Sequence, residues 1–258
     1  MSFETILCEK KDRVLTITLN RPEVLNAFTV TMGQEMLQAL HQAEDDEDVG
    51  CVVLTGAGRG FCSGADVREF QAGIEGRTAD NVVSASESLC QLMFNLKKPT
   101  IAAVNGPAVG VGFTMTLPCD IRIASDRARF GPIFVRLGLI PEFGSTFLLP
   151  RLIGLAKAKE LILLGRIMDA QEILDIGLVS KVVPHEELMT EAMSLATTLA
   201  QGPTRTLGLA KEALHQGLVS DLAGAEASEL GLLATCVRSP EFAEGVRAFL
   251  EKRQPRFH

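Results

Sequence analysis

The sequence predicts an α/β fold: a coil of strand–strand–helix turns followed by a helical appendage. Three observations carry this reading. Apolar segments of strand character alternate with segments of helical spacing over residues 1–150. The rest of the chain reads as almost all helix. The stretch over residues 99–114, Pro-Thr-Ile-Ala-Ala-Val-Asn-Gly-Pro-Ala-Val-Gly-Val-Gly-Phe-Thr, runs from strand character through a break at Asn105-Gly106-Pro107 into a Gly-x-Gly that opens a new apolar segment. A strand, a tight turn and a helix start aim unpaired backbone N–H groups outward. Such an end suits a phosphate, or an oxyanion that develops during a reaction. The 258 residues are enough for one large domain, or one domain with an appendage.

Taken in order, residues 3–9 and 13–19 alternate as strands about a turn at Lys10-Lys11-Asp12, and Asn20-Arg21-Pro22 ends the second strand. A helix follows over residues 29–44, with Met32, Met36, Leu37 and Leu40 on one face. Asp45-Asp46-Glu47-Asp48 reads as a solvated turn, since it lacks the glycine and distal glutamate of a calcium loop. Residues 49–55 are a buried strand. Gly56-Ala57-Gly58-Arg59-Gly60 is a glycine-rich loop without the Gly-Lys-Ser/Thr that grips a nucleotide. Residues 67–85 read as a loop with short helices, and 84–96 as a helix with Ser84 and Glu87 at capping-box spacing. Strands at 100–104 and 120–125 enclose a helix over 112–118, and residues 128–135 are a short strand and turn. Residues 139–144 form a loop entering the helix of Phe147 and Leu148. A helix over 156–164 stops at Gly165, and Asp169 with Glu172 caps the next, over 170–174. A strand at 178–183 precedes helices at 186–200, from Gly202-Pro203 to about 215, at 220–236, and from Ser239-Pro240 to about 252. No internal repeat marks an ordinary solenoid.

Composition narrows the function. Charged residues are 22% and hydrophobic residues 47%, ordinary for a globular chain, and the net charge is −7. That charge argues against nucleic acid or an anionic membrane as partner, while leaving room for an anionic small ligand at a local basic patch. With no Trp and no Tyr, stacking falls to Phe and His, and no phenol can serve as acid or oxyanion donor. The six cysteines (Cys8, Cys51, Cys62, Cys90, Cys119 and Cys236) form no C-x-x-C pair and read as reduced, mostly buried residues of a cytoplasmic protein. No signal peptide, membrane span or C-terminal targeting tag is read. No His/Asp/Glu cluster suggests a metal, and His41, His185, His215 and His258 read as surface groups.

Several short motifs occur in a fixed order: Arg21-Pro22 with Asn26-Ala27, Phe61-Cys62-Ser63-Gly64-Ala65-Asp66, Asn105-Gly106-Pro107-Ala108-Val109-Gly110-Val111-Gly112, Cys119-Asp120, Phe130-Gly131, Leu139-Ile140-Pro141 and Gly177-Leu178-Val179. Together, and over almost the whole chain, they resemble the crotonase (enoyl-CoA hydratase/isomerase) superfamily. The resemblance implies a spiral of ββα turns over residues 1–200 carrying an acyl-CoA site, and a helical trimerisation region over 201–258. It implies a homotrimer or dimer of trimers, a coenzyme A thioester as substrate, and no tightly bound cofactor. It places the oxyanion hole at the backbone N–H groups of Ala65 and Val111. Val111 stands where the family has a glycine, so its side chain can reshape the pocket. Gly110 and Gly112, lacking Cβ, would let the thioester approach the backbone. Arg21, Ala27, Ser63 and Asp66 would line the path of CoA. Arg21 could instead be a plain surface arginine. Lys252 and Phe249 would reach CoA from the same or a neighbouring subunit. Asp120 reads as a structural cap, and Cys62 has no histidine partner that would make it a nucleophile.

The two glutamates with which the family's hydratases activate water are missing. By the family's spacing their positions hold Thr114 and Phe134. One carboxylate remains nearby, Glu142 in Leu139-Ile140-Pro141-Glu142-Phe143-Gly144. This segment resembles the double-bond isomerases of the superfamily and those of phenylacetate breakdown. A single carboxylate suffices to move a proton between C2 and C4 of a 3-enoyl thioester. Phe134, Leu139, Ile140, Phe143 and Phe147 would exclude water and raise its pKa. The same residue also stands where a helix N-terminus stabilises any carboxylate. The expected function is therefore an acyl-CoA isomerase with Glu142 as catalytic residue. The rivals are a hydratase, an isomerase of a ring-derived thioester, and a catalytically silent CoA-binding module.

Overall fold

The computed structural model describes residues 3–68, 71 and 89–258. Ser84, Glu87 and most of the loop expected over 67–85 lie outside the described residues. Numbered in chain order, the main sheet holds β1 (Ile6–Lys11), β2 (Val14–Leu19), β3 (Cys51–Gly56), β4 (Thr100–Val104), β6 (Ile121–Ser125) and β9 (Lys181–Val183), side by side in that order. A smaller sheet holds β5 (Pro107–Val109), β7 (Arg129–Gly131) and β8 (Met168–Asp169).

β1 and β2 pair antiparallel through Asp12-Arg13, whose φ values of 50° and 66° make a two-residue hairpin turn that follows the twist of the strands. The turn falls later than Lys10-Lys11-Asp12, because Lys10 and Lys11 stay paired with Leu15 and Val14. All other neighbours in the main sheet are parallel. Both faces of β3 and β4 are covered, which explains their unbroken apolar runs.

The chain alternates between layers. β4 leads to β5, and β6 leads to β7, with β5 and β7 parallel. Two isolated bridges, Phe28 to Ala65 and Cys62 to Ala108, continue the second layer backward to earlier turns. Each turn of the coil thus lays one strand in each layer, and the core, including Phe61, Phe113, Phe130, Met32 and Met36, fills the space inside. β5 lies where a break was expected. Three residues opening on a proline give too little pattern to be read as a strand. The Pro107 carbonyl nonetheless accepts from the N–H groups of both Phe61 and Cys62. On the outer face of the main sheet, the helix Leu188–Ala200 lays Ala192, Ala196 and Ala200 against Val14, Cys51, Val53 and Ile101.

Helix ends follow their capping chemistry. Thr29 caps Val30–Asp45, Asp169 and Glu172 form a complete capping box on Ala170–Asp175, and Ser239 caps Pro240–Leu250. Pro203 is the N-cap of Thr204–Gly217 rather than its first helical residue. The helix expected over 112–118 is a single turn, Val111–Thr114. Asp120 is structural: its carboxylate accepts from the Thr100 N–H at 2.7 Å and from Lys211 Nζ at 2.8 Å, joining β4 to the helix Thr204–Gly217. All six cysteines are free, but Cys8 is exposed on the edge strand β1. Two histidines expected at the surface are half-buried. His185 Nδ1 lies 3.0 Å from the Asn105 carbonyl, and the His215 ring stacks on Phe94 with 3.7 Å between centroids. The helix Leu222–Val237 buries no residue and exposes Leu222, Leu230 and Leu233. Among the described residues no helix is long and apolar enough to cross a membrane.

Candidate active site

Two loops of successive turns meet side by side. Val109 N–H donates to the Cys62 carbonyl at 2.9 Å, and Phe28 N–H donates to the Gly64 carbonyl at 2.8 Å. Gly64 (φ 112°) and Gly110 (φ 54°, ψ −123°) adopt backbone shapes that side chains disfavour. Past these glycines come Ala65 and Val111, and neither N–H donates to an acceptor among the described residues. Val111 is buried nonetheless. A buried N–H without a partner is rare and invites an external acceptor. A four-residue helix adds little macrodipole, so two individual donors, not a helix end, define the feature. Gly112 serves a different purpose from the one expected. A Cβ there would lie 2.2 Å from the Cys62 carbonyl oxygen, so its missing side chain lets the two loops touch.

Glu142 arrives from the other side. Phe143 (φ 58°) and Gly144 (φ 66°) are consecutive left-handed residues, a sharp reversal that a bulky residue such as Phe143 resists. Two contacts hold it. Phe143 is buried, and Cys90 Sγ donates to its carbonyl at 3.2 Å. Cys90 Sγ also fills the space beside Gly144, where a Cβ would come within 2.9 Å. The reversal brings Glu142 Oε1 to 2.9 Å from the hydroxyl of Thr114, which is fully buried. Burial pushes the Glu142 carboxyl up to about 7, while the hydrogen bond from Thr114 pulls the other way. Near neutral pH both protonation states are populated, which suits a group that must take a proton and return it. Burial, with the Glu142 charge adding to it, pushes the Cys90 thiol up to about 11. Cys62 rises to about 12, again chiefly through burial. Neither is a ready nucleophile.

The raised carboxyl carries a cost in stability with a defined sign. The folded chain binds the Glu142 proton more tightly than the unfolded chain, whose carboxyl titrates near 4.5. Its contribution to stability is fully present below that value and is lost as pH rises through about 7. From about pH 4.5 to 8, the unfolding free energy of the wild type should fall by on the order of 3 kcal/mol more than that of Glu142→Gln. Urea titrations of both proteins across that range measure the difference.

The other expected site residues brace this arrangement. Arg21 is turned inward: Nη1 donates to the Ala27 carbonyl at 2.6 Å and Nη2 to Asp66 Oδ2 at 3.0 Å. Burial alone would raise the Asp66 carboxyl, but hydrogen bonds from Arg21 and Arg68 outweigh it and hold it below the usual range. Ser63 Oγ donates to the Val24 carbonyl at 3.1 Å. Arg21, Ala27, Ser63 and Asp66 therefore fix the loop that carries Ala65. Arg21 is not the surface arginine that was one of its two readings. Phe134 is buried, and its carbonyl accepts from the Leu139 N–H, closing the start of the Glu142 loop. Phe147 is half-buried, but Leu139 and Ile140 are exposed, Ile140 at 82%, so the expected apolar surround is smaller than the sequence suggests. Lys252 is exposed past the last helix and makes no hydrogen bond to any of these residues. Cys90 was not anticipated. Among the described residues no three His, Cys, Asp or Glu side chains could together hold a metal ion.

The whole-chain comparisons meet this geometry. The family model for enoyl-CoA hydratase/isomerase matches residues 9–258. The chain belongs to the enoyl-CoA hydratase/isomerase family. It is thus a member of the crotonase superfamily and an enzyme of the acyl-CoA hydratase/isomerase class. It is 41% identical to the 1,2-epoxyphenylacetyl-CoA isomerase of Escherichia coli, covering 99% of this chain and 98% of that one. It is 38% identical to the short-chain-enoyl-CoA hydratase of Clostridium acetobutylicum, over 98% and 97% of the two chains. The crystal structure of an enoyl-CoA hydratase from Bacillus anthracis superposes with a TM-score of 0.93 at 36% identity, over 98% of this chain and 99% of that one. The ββα spiral with C-terminal helices is the crotonase fold.

Proposed function

We propose that this enzyme is an acyl-CoA isomerase that moves a carbon–carbon double bond from the 3- to the 2-position, with Glu142 as its one acid/base. The carrying observation is the half-buried Glu142 carboxyl, bonded to Thr114 at the position where a hydratase would carry a glutamate. The Glu142 carboxylate takes the proton from C2 of a 3-enoyl thioester. The C2–H electron pair becomes the C1–C2 double bond, and the carbonyl pair moves onto oxygen, where the Ala65 and Val111 N–H groups receive it. The carbonyl then re-forms, a double bond settles between C2 and C3, and the former C3–C4 pair takes the same proton from Glu142 at C4. No water enters the balance. The coenzyme A thioester is the substrate, and Val111, Gly110 and Phe143 border the acyl group.

A second reading is favoured by the 41% identity to the 1,2-epoxyphenylacetyl-CoA isomerase: the acyl group is ring-derived, with the same proton chemistry. Ultraviolet absorbance of the conjugated thioester separates the cases. A 3-enoyl-CoA should gain conjugation, and a 2-enoyl-CoA should not lose it. Loss with the 2-enoyl-CoA would make the enzyme a hydratase, and binding with neither change a silent module. Conversion of a ring-derived thioester alone would select the second reading. The same proposal holds the enzyme to be cytoplasmic and to assemble as a trimer or dimer of trimers. Exposed Leu222, Leu230, Leu233, Phe242 and Phe249 on its C-terminal helices make up the apolar surface for that assembly.

A further inference from the structure

Thr114 stands at the junction of both halves of the site. It lies three residues beyond Val111, and its hydroxyl has three acceptors in reach: Glu142 Oε1 at 2.9 Å, the Val111 carbonyl at 3.3 Å and the Gly110 carbonyl at 3.4 Å. A hydroxyl has one proton to give and rotates to suit. The shortest contact makes Oε1 its acceptor, and Oε2 has no partner among the described residues. We infer that Thr114 is a positioning residue for Glu142: its hydroxyl pins Oε1, so that Oε2 alone trades the proton with substrate.

This inference rests on the reading of Glu142 as the acid/base and deepens it. With Glu142 ionised, the hydroxyl donates to a full carboxylate oxygen, its strongest use. When Oε2 has taken the proton, Oε1 becomes a weaker acceptor. The hydroxyl can then share its proton with the Val111 or Gly110 carbonyl and is not left unpaired in a buried site. One side chain thus fits both states of the catalytic cycle without moving backbone. Valine matches threonine in shape but lacks the hydroxyl, so the alternative role for Thr114, simple filling of space, predicts a different result. The titratable groups facing Glu142 among the described residues are Cys62, from the loop after β3, and Cys90, from the helical residues 89–95. Both thiols stay neutral through the range in which Glu142 titrates, so a change in its midpoint reports on Thr114.

The experiment is an infrared titration of the substrate-free enzyme, following the protonated-carboxyl band that Glu142→Gln removes, together with the pH profile of kcat/KM on a 3-enoyl-CoA. Thr114→Val should move the Glu142 midpoint upward from about 7 by roughly one pH unit. It should lower kcat by about 10-fold above that midpoint, with KM little changed. Thr114→Ser should restore the wild-type midpoint. If Thr114→Val does not fold, Thr114→Ala is read in the same way. An unchanged midpoint in the hydroxyl-free variant, or a Ser variant that behaves like Val, overturns the inference. Failure of the underlying reading looks different: Glu142→Gln would keep full turnover while the Thr114→Val midpoint still moved.

Discussion

On the proposed mechanism, Glu142→Gln is expected to reduce isomerase turnover by about 10²- to 10⁴-fold while leaving the fold and thioester affinity in place. The loss is large because, among the described residues, the site holds no second carboxylate to substitute. Thr114 and Phe134 occupy the neighbouring positions, and Asp66 is engaged by Arg21 and Arg68. The fold survives because the introduced amide can keep its oxygen where Oε1 was, accepting from Thr114. An uncharged group also suits a half-buried position better than a carboxylate. The two halves of this result check each other. Single-turnover kinetics should show the chemical step slowed, and equilibrium binding of a saturated acyl-CoA should be within a few-fold of wild type. Full turnover by Glu142→Gln would place the proton chemistry elsewhere.

Gly112→Ala is expected to damage activity without touching any group that carries a proton. The added Cβ would meet the carbonyl oxygen of Cys62 at 2.2 Å and its carbonyl carbon at 2.9 Å, both backbone atoms that no rotamer change can move. Relief requires sliding the Val111–Thr114 turn away from the Cys62–Ala65 segment. That displacement changes the distance between the two N–H donors and the direction of at least one. Losing one well-aimed donor typically costs about 10²- to 10³-fold in turnover. Overpacking of this kind costs roughly 1–3 kcal/mol of stability, and a chain of this size loses roughly 2–4 °C in Tm per kcal/mol. Steady-state kinetics and thermal unfolding of the variant test both. Wild-type turnover in a destabilised variant would separate the packing of this contact from the alignment of the donors.

Much of the fold was legible because alternation and capping are local. The β1–β2 pair, the helix starts at Thr29 and Ser239, the Asp169–Glu172 cap and the Gly165 stop depend on residues within a few positions of one another. β5 escaped because Pro107-Ala108-Val109 is too short to show a period, and its pairing partner β7 begins only at Arg129. The apolar character of Leu139 and Ile140 misled because hydrophobic residues are not obliged to be inside. Within the site, Glu142 and Thr114 were legible as family positions, but their hydrogen bond spans 28 residues and has no local signature. The Cys90 clamp on Phe143 spans 53 residues, and nothing about a cysteine in a helical run announces a distant carbonyl.

The bridge between Cys62 and Ala108 has a consequence for how such an enzyme can diversify. Ala65 and Val111 each lie three residues beyond their own member of that bridge. The loops that carry the two donors thus leave from paired residues, set about 4.8 Å apart as neighbouring strands are. Lengthening a connection costs little, because closure entropy grows only with the logarithm of its length. Insertions in connections away from this bridge can therefore be tolerated while Cys62 and Ala108 stay paired.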